Sequence, residues 1–112
     1  MIKNVNKKIK MLKLSDDALI FTFSDNSKIR LHNAKQECSE VRFMRTDDNL
    51  SDFIGATLYG AEVKNGPSYD HDLVSDSQFL IVSTSKGEFT VVNYNTHNGY
   101  YSGFDLQMEE EK

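Results

Sequence analysis

Cysteine occurs once in the 112 residues, proline once and tryptophan never. A lone cysteine, Cys38, excludes an internal disulfide. Tight zinc sites use four soft ligands at short CxxC or HxxxH spacings, and that pattern is missing too. No apolar run approaches the ~20 residues that span a bilayer. The opening MIKNVNKKIK is basic and never reaches the apolar stretch of a secretory signal. A basic excess is also lacking: 13 Lys and Arg stand against 17 Asp and Glu, a formal net charge of -4. Duplex nucleic acid is therefore not expected as a partner, because neutralising its phosphates needs a basic face. The acidity is equally too mild for a DNA mimic. These absences lead to the expectation of a cytoplasmic protein with no membrane association, no metal and no cofactor.

What is present fits a globular chain: 38% of residues are apolar and 27% charged. A single domain over 1–112 is expected, able to bury roughly two-thirds of the surface its unfolded chain exposes. The charge is uneven along it. Lys3, Lys7, Lys8, Lys10 and Lys13 precede any acid, and Glu109, Glu110 and Glu111 come near the end. Such ends are usually solvated, although they can attract one another or a neighbouring subunit. Abundant Asn, Asp, Lys and Ser are what an AT-rich bacterial or phage genome would produce.

Apolar residues recur with period two, the signature of strands. Ile9 to Leu14 reads as a first strand, turning at Ser15-Asp16-Asp17. Leu19, Phe21 and Phe23 share one face of a second strand. Ser24-Asp25-Asn26-Ser27 is a polar turn whose Asp and Asn accept left-handed backbone angles. Ile29 and Leu31 alternate with Lys28, Arg30 and His32 in a third strand that completes a meander. Cys38 to Met44 is a fourth strand with Val41 and Phe43 toward the core. Thr46 is expected to cap one short helix, with Asp47 and Asp48 in its first turn and Leu50, Phe53 and Ile54 along one stripe. Gly55 suits its left-handed end. Thr57 to Val63 is a fifth strand with Gly60 at a bulge. Asn65 to Ser77 reads as a polar loop. Gln78 to Ser83 is a buried strand, Glu88 to Tyr94 its partner across the Ser85-Lys86-Gly87 turn, and Asn98-Gly99 a further turn before a last strand near Phe104 to Glu109. The expected fold is mainly β, a small antiparallel sandwich or partly open barrel of about eight strands with one short helix.

Three groups of residues can carry chemistry. His32 lies near Gln36, Glu37, Cys38, Ser39 and Glu40, where imidazole, amide, thiol and carboxylate could hold a ligand; equally, Cys38 reads as a small buried hydrophobe amid surface polar groups. The order Cys38 then His97-Asn98 suggests a thiol hydrolase only superficially, because Cys38 enters a strand and no helix starts behind it to activate the thiol. Asp70-His71-Asp72 has the composition of a metal clip, but adjacent residues on a loop diverge, so a solvated loop is expected. The most informative segment is Thr96-His97-Asn98-Gly99-Tyr100-Tyr101-Ser102-Gly103-Phe104. Glycines flanking paired tyrosines present aromatic rings and backbone amides together, which can stack a planar ring and bind an anion; a hairpin whose tyrosines cover the core edge has the same sequence. Arg30, Arg42 and Arg45 could supply fork-shaped donors for a phosphate or carboxylate.

His32, the run Gln36-Glu37-Cys38-Ser39-Glu40, then Asp52-Phe53-Ile54-Gly55, Ala61-Glu62 and Asn98-Gly99-Tyr100-Tyr101-Ser102 together resemble an uncharacterised family of short proteins from bacterial and phage genomes. Its hallmarks are an H-x-Q-D-C-C-E stretch, a D-L-x-G segment, an A-E pair and a terminal N-G-Y-Y-S signature. Here the spacing after His32 is longer, Glu37 replaces Asp and Ser39 replaces a second Cys, which weakens any redox or metal role for a cysteine pair. The resemblance implies no activity.

The expected function is that of a non-enzymatic binding protein, phage-encoded in the reading the resemblance favours, that sequesters a small anionic ligand of nucleotide type. His97, Asn98, Gly99, Tyr100, Tyr101, Arg42, His32 and Glu40 are its candidate ligand-binding residues. A closed homo-oligomer with an inter-subunit pocket fits this reading. The alternative is a protein-interaction module that regulates a host enzyme through an exposed strand edge.

Overall fold

A computed structural model describes residues 1–33, 40–70, 74–97 and 106–111, with 40, 67–70, 74–75 and 97 described by backbone alone. Its strands are β1 (Lys7–Leu14), β2 (Ala18–Phe23), β3 (Lys28–Asn33), β4 (Glu40–Arg45), β5 (Thr57–Asp70), β6 (Val74–Thr84), β7 (Gly87–His97) and β8 (Leu106–Glu111). All pair antiparallel in one open sheet of order β4-β7-β6-β5-β1-β2-β3-β8. The mainly β expectation and the β1–β2–β3 meander hold.

The sheet has a long half, β4-β7-β6-β5, and a short half, β1-β2-β3-β8, joined through β1. Lys7 and Lys8 pair with Leu58 and Thr57 of β5, after which β1 pairs with β2 across an irregularity between Ile9 and Met11. The halves face each other. Ile9, Leu19, Phe21 and Leu31 from the short half share one buried cluster with Leu58, Leu80, Val82, Phe89 and Val91 from the long half. Each of these larger side chains stabilises by about 1.5–3 kcal/mol on burial. The period-two pattern is what makes this core: a strand with every second side chain apolar offers one face to it.

The expected helix is instead a single 3₁₀ turn, Leu50–Phe53. Its cap is Asn49, whose Oδ1 accepts from the Ser51 backbone N–H at 3.3 Å and the Ser51 hydroxyl at 2.7 Å. Thr46 and Asp48 are engaged elsewhere. The Thr46 hydroxyl donates to Thr90 O at 2.7 Å, and the Asp48 carboxylate accepts from Thr90 N–H at 2.9 Å. These two side chains thus satisfy the edge of β7 just beyond the end of β4; the Thr46 hydroxyl also accepts from the Asp48 backbone N–H at 3.2 Å, closing a turn that no α-helix follows among the described residues. Leu50 and Phe53 pack against the core, but Ile54 is exposed, so the expected stripe is only partly realised. Gly55 does adopt the left-handed conformation, at φ 90°.

The polar loop expected over 65–77 is largely strand. β5 runs to Asp70 and β6 begins at Val74, with a register shift between Asn65 and Ser68 that takes up Gly66 and Pro67. A bulge leaves residues unpaired, so proline's missing N–H costs no ladder bond there. Cross-strand pairing overrides the poor strand propensity of Asn, Gly and Ser. Gly60 lies at a second shift, after Leu58. A Cβ there would come within 2.4 Å of Ile2 O, and Ile2 exchanges two backbone hydrogen bonds with Ala61. Glycine lets the N-terminal segment lie against β5. The acidic end is likewise not merely solvated: β8 pairs with β3, and Glu109 contacts Arg30 at 3.6 Å and His32 at 3.1 Å.

Candidate binding site

The register of β4, β7, β6 and β5 sets side chains in rows across the inner face of the long half. Two rows are apolar: Phe89, Val82 and Ala61, then Val91, Leu80 and Val63. The next carries Met44, Asn93, Gln78 and Asn65, and the one beyond it Arg42, Asn95 and Asp76. Last comes the register position of Glu40, directly opposite His97, which is itself opposite Val74. The inner face therefore changes from apolar to polar along β7, although Asn93 and Asn95 remain 1% and 0% exposed.

Buried amides need partners, since an unsatisfied one costs about 1–3 kcal/mol. Asn93 finds its partner on the facing half. Its side-chain N–H donates to Asn33 Oδ1 at 2.7 Å and the Asn33 amide donates back to Asn93 Oδ1 at 2.9 Å. Beside it, the buried Gln78 Oε1 accepts no hydrogen bond among the described residues. This end thus joins a closed amide pair to an acceptor whose capacity no described residue uses. Arg42, half-buried one row further on, adds a guanidinium to the same face.

Of the residues singled out by sequence, register groups Glu40, Arg42 and His97 at this end of β4 and β7. Asn98, Gly99, Tyr100 and Tyr101 follow His97 directly in the chain and lie outside the described residues, as do Gln36, Glu37, Cys38 and Ser39. His32 does not join the group. It lies on the outer face of the short half, its Nε2 3.1 Å from Glu109 Oε1, whereas the neighbouring Asn33 turns inward. Arg30 shares that outer face, and Arg45 pairs with Asp16 while its guanidinium lies 5.0 Å from the Phe43 ring centre. Of the three arginines, only Arg42 belongs to the inner rows. Asp70 ends β5, while His71 and Asp72 lie outside the described residues; among described residues no group of His, Cys, Asp and Glu could hold a metal.

Asn33, Gln78, Asn93 and Asn95 are site residues that sequence reading passes over. Their signal is the break in β7's alternation, where Phe89 and Val91 are followed at the same parity by Asn93 and Asn95. Ending that strand at Tyr94 hides it.

Surface cavities among the described residues lie elsewhere. A groove of about 350 Å³ is lined by Met1, Lys3, Tyr59, Glu62 and Ser83, and a smaller one of about 220 Å³ includes Lys3, Lys7, Lys28 and Glu111. The first sits by Ser83, opposite Glu88 near the β6–β7 turn, whereas His97 ends β7. At ~3.3 Å per residue, that separates it from the polar end by about 30 Å. Near the second, the Asp25 carboxyl is lowered to a pKa of about 2, chiefly by the Ser27 hydroxyl and backbone N–H and then by Lys7.

The chain is thus a mainly β protein, an open, bent antiparallel sheet with polar residues collected at one end. The chain belongs to the family described as Domain of unknown function (DUF7448), whose model matches residues 3–106. The match takes in β1 to β7 and reaches the first residue of β8. No curated protein and no solved structure matches the chain. Among the described residues no helix is long and apolar enough to cross a membrane.

Proposed function

We propose that this chain is a non-enzymatic binding protein that sequesters a small anionic ligand of nucleotide type at the polar end of its inner face. The observation that carries this reading is the run of rows from Met44-Asn93-Gln78 to Arg42-Asn95-Asp76, set between facing half-sheets and leading to His97. Amides and a guanidinium on rigid strands can orient a polar ligand, and Gln78 Oε1 has acceptor capacity for it. Asn98-Gly99-Tyr100-Tyr101 continues from His97, adding rings to stack a base and amides to meet an anion. Arg42 supplies the forked donor. In a phage-encoded protein acting in the host cytoplasm, such binding would deplete a nucleotide signal of host defence.

A second reading, direct contact with a host enzyme through a sheet edge, is favoured by the open sheet with β4 and β8 at its ends. Both ends also resist strand addition. The Met44 N–H of β4 already donates to Asp16 O at 3.0 Å, and β8 carries Glu109, Glu110 and Glu111. Ligand binding is therefore preferred.

The test is a thermal-shift screen against linear and cyclic nucleotides and ADP-ribose derivatives. Ligand at one hundred times its dissociation constant stabilises by about 2.7 kcal/mol, a shift of several degrees in a domain this small. Arg42→Ala, Tyr100→Ala and Tyr101→Ala should abolish the shift while leaving the unliganded fold intact. A flat screen, or a shift that all three variants retain, rejects the assignment and favours a protein partner.

A further inference from the structure

The outer faces of the two half-sheets differ in chemistry. That of the short half is charged, with Lys28, Arg30 and His32 of β3 facing Glu109 and Glu111 of β8. That of the long half has an apolar centre. Phe43 of β4 stacks on Tyr94 of β7, ring centres 5.0 Å apart, and Val92, Phe79 and Ile81 continue the surface across β7 and β6. Val41, at its β4 margin, is 56% exposed, so Val41 and Phe43 lie on the outer face and not toward the core as expected; Met44, at the other parity of β4, is the residue buried. Both faces of this half-sheet are thus apolar in their middle, although only the inner one meets the core.

We infer that the outer face of β4-β7-β6-β5 packs against the same face of a second copy of this chain. Charge and area both select that occupant. The chain's net charge of -4 opposes self-association through an acidic surface. This face instead carries Arg45, paired with Asp16, and Lys64 together with Glu62 and Glu88 around its apolar centre, so charges of both signs are interspersed where two copies meet. An apolar centre inside a polar rim is the anatomy of a protein interface. Four strands ~4.8 Å apart and six to fourteen residues long, about ten on average, give a footprint of roughly 15 by 33 Å, about 500 Å² per copy. The pair therefore covers about 1,000 Å², the lower bound for a specific interface. A dimer that weakens on dilution follows. Two-fold pairing of identical faces closes the assembly at two.

Light scattering after size exclusion, at loading concentrations up to ~100 μM, should give twice the 12.8 kDa chain mass, falling toward one chain mass on dilution. Ile81→Lys should give a monomer at every concentration, with circular dichroism reporting whether its fold survives. Val41→Glu, at a position already exposed, raises the dissociation constant at least tenfold without disturbing the core and serves if Ile81→Lys unfolds. A wild-type monomer throughout overturns the inference, as does a dimer of unchanged strength in Val41→Glu.

Discussion

Asn33 and Asn93 exchange two side-chain hydrogen bonds, at 2.9 and 2.7 Å, across the interior between β3 and β7, strands far apart in the sheet order. The pair ties the short half to the long half where the apolar core gives way to polar residues. Asn33→Ala leaves the buried Asn93 amide without this partner and should lower stability by about 1–3 kcal/mol. At roughly 4–8 °C per kcal/mol, that is a clear fall in Tm. Asn33→Leu combined with Asn93→Leu should cost less than the sum of the single changes, because neither amide is then stranded. Denaturant unfolding of the four proteins checks this, and strict additivity would show that the pair is not coupled.

The Asp25 carboxyl is held at a pKa of about 2, first by the Ser27 hydroxyl, then by the Ser27 backbone N–H and Lys7. A carboxyl lowered from the ordinary 3.8 favours the folded state fully above about pH 4 and loses that contribution as pH falls toward 2. Carboxyl NMR titration should place its midpoint well below 3.8. Ser27→Ala should raise the midpoint more than Lys7→Met does. Asp25 is solvent-facing, so added salt should weaken only the Lys7 part. A midpoint near the ordinary value contradicts the assignment.

Gly60 allows the N-terminal segment to lie on β5, where an added Cβ would stand 2.4 Å from Ile2 O. Gly60→Ala should displace residues 1–5 and weaken the Ile2–Ala61 hydrogen bonds, both now near 3 Å. Overpacking of this kind costs about 1–3 kcal/mol. Hydrogen exchange should become faster at the Ile2 and Ala61 amides and stay unchanged at Leu80 and Val91. Undiminished protection at Ile2 would show that the segment tolerates the methyl group.

The strands were legible wherever burial enforces alternation: Leu19, Phe21 and Phe23 in β2, or Ile29 and Leu31 in β3. So was the left-handed turn, since Asn26 has φ 68°. Legibility failed where polar side chains do what apolar spacing usually does. Thr46 and Asp48 look like a helix start but bind the backbone of Thr90. Asn65 to Ser77 looks like a loop because its strand stability comes from pairing with β6 and β7, which no local propensity reveals. The candidate site was legible only in part. Arg42 and His97 stand out by residue type, whereas Asn33 and Asn93, 60 positions apart, acquire meaning only when the sheet bends and brings them together.

The most direct test is amide NMR of the labelled protein titrated with the nucleotide that gives the largest thermal shift. The expected result is saturable shift changes at Arg42, Gln78, Asn93, Asn95 and the residues after His97, with Met1 to Asn4 and Tyr59 to Glu62 unmoved. Changes confined to the groove beside Tyr59 and Ser83, or none with any nucleotide, would contradict a binding site at the polar end of the sheet.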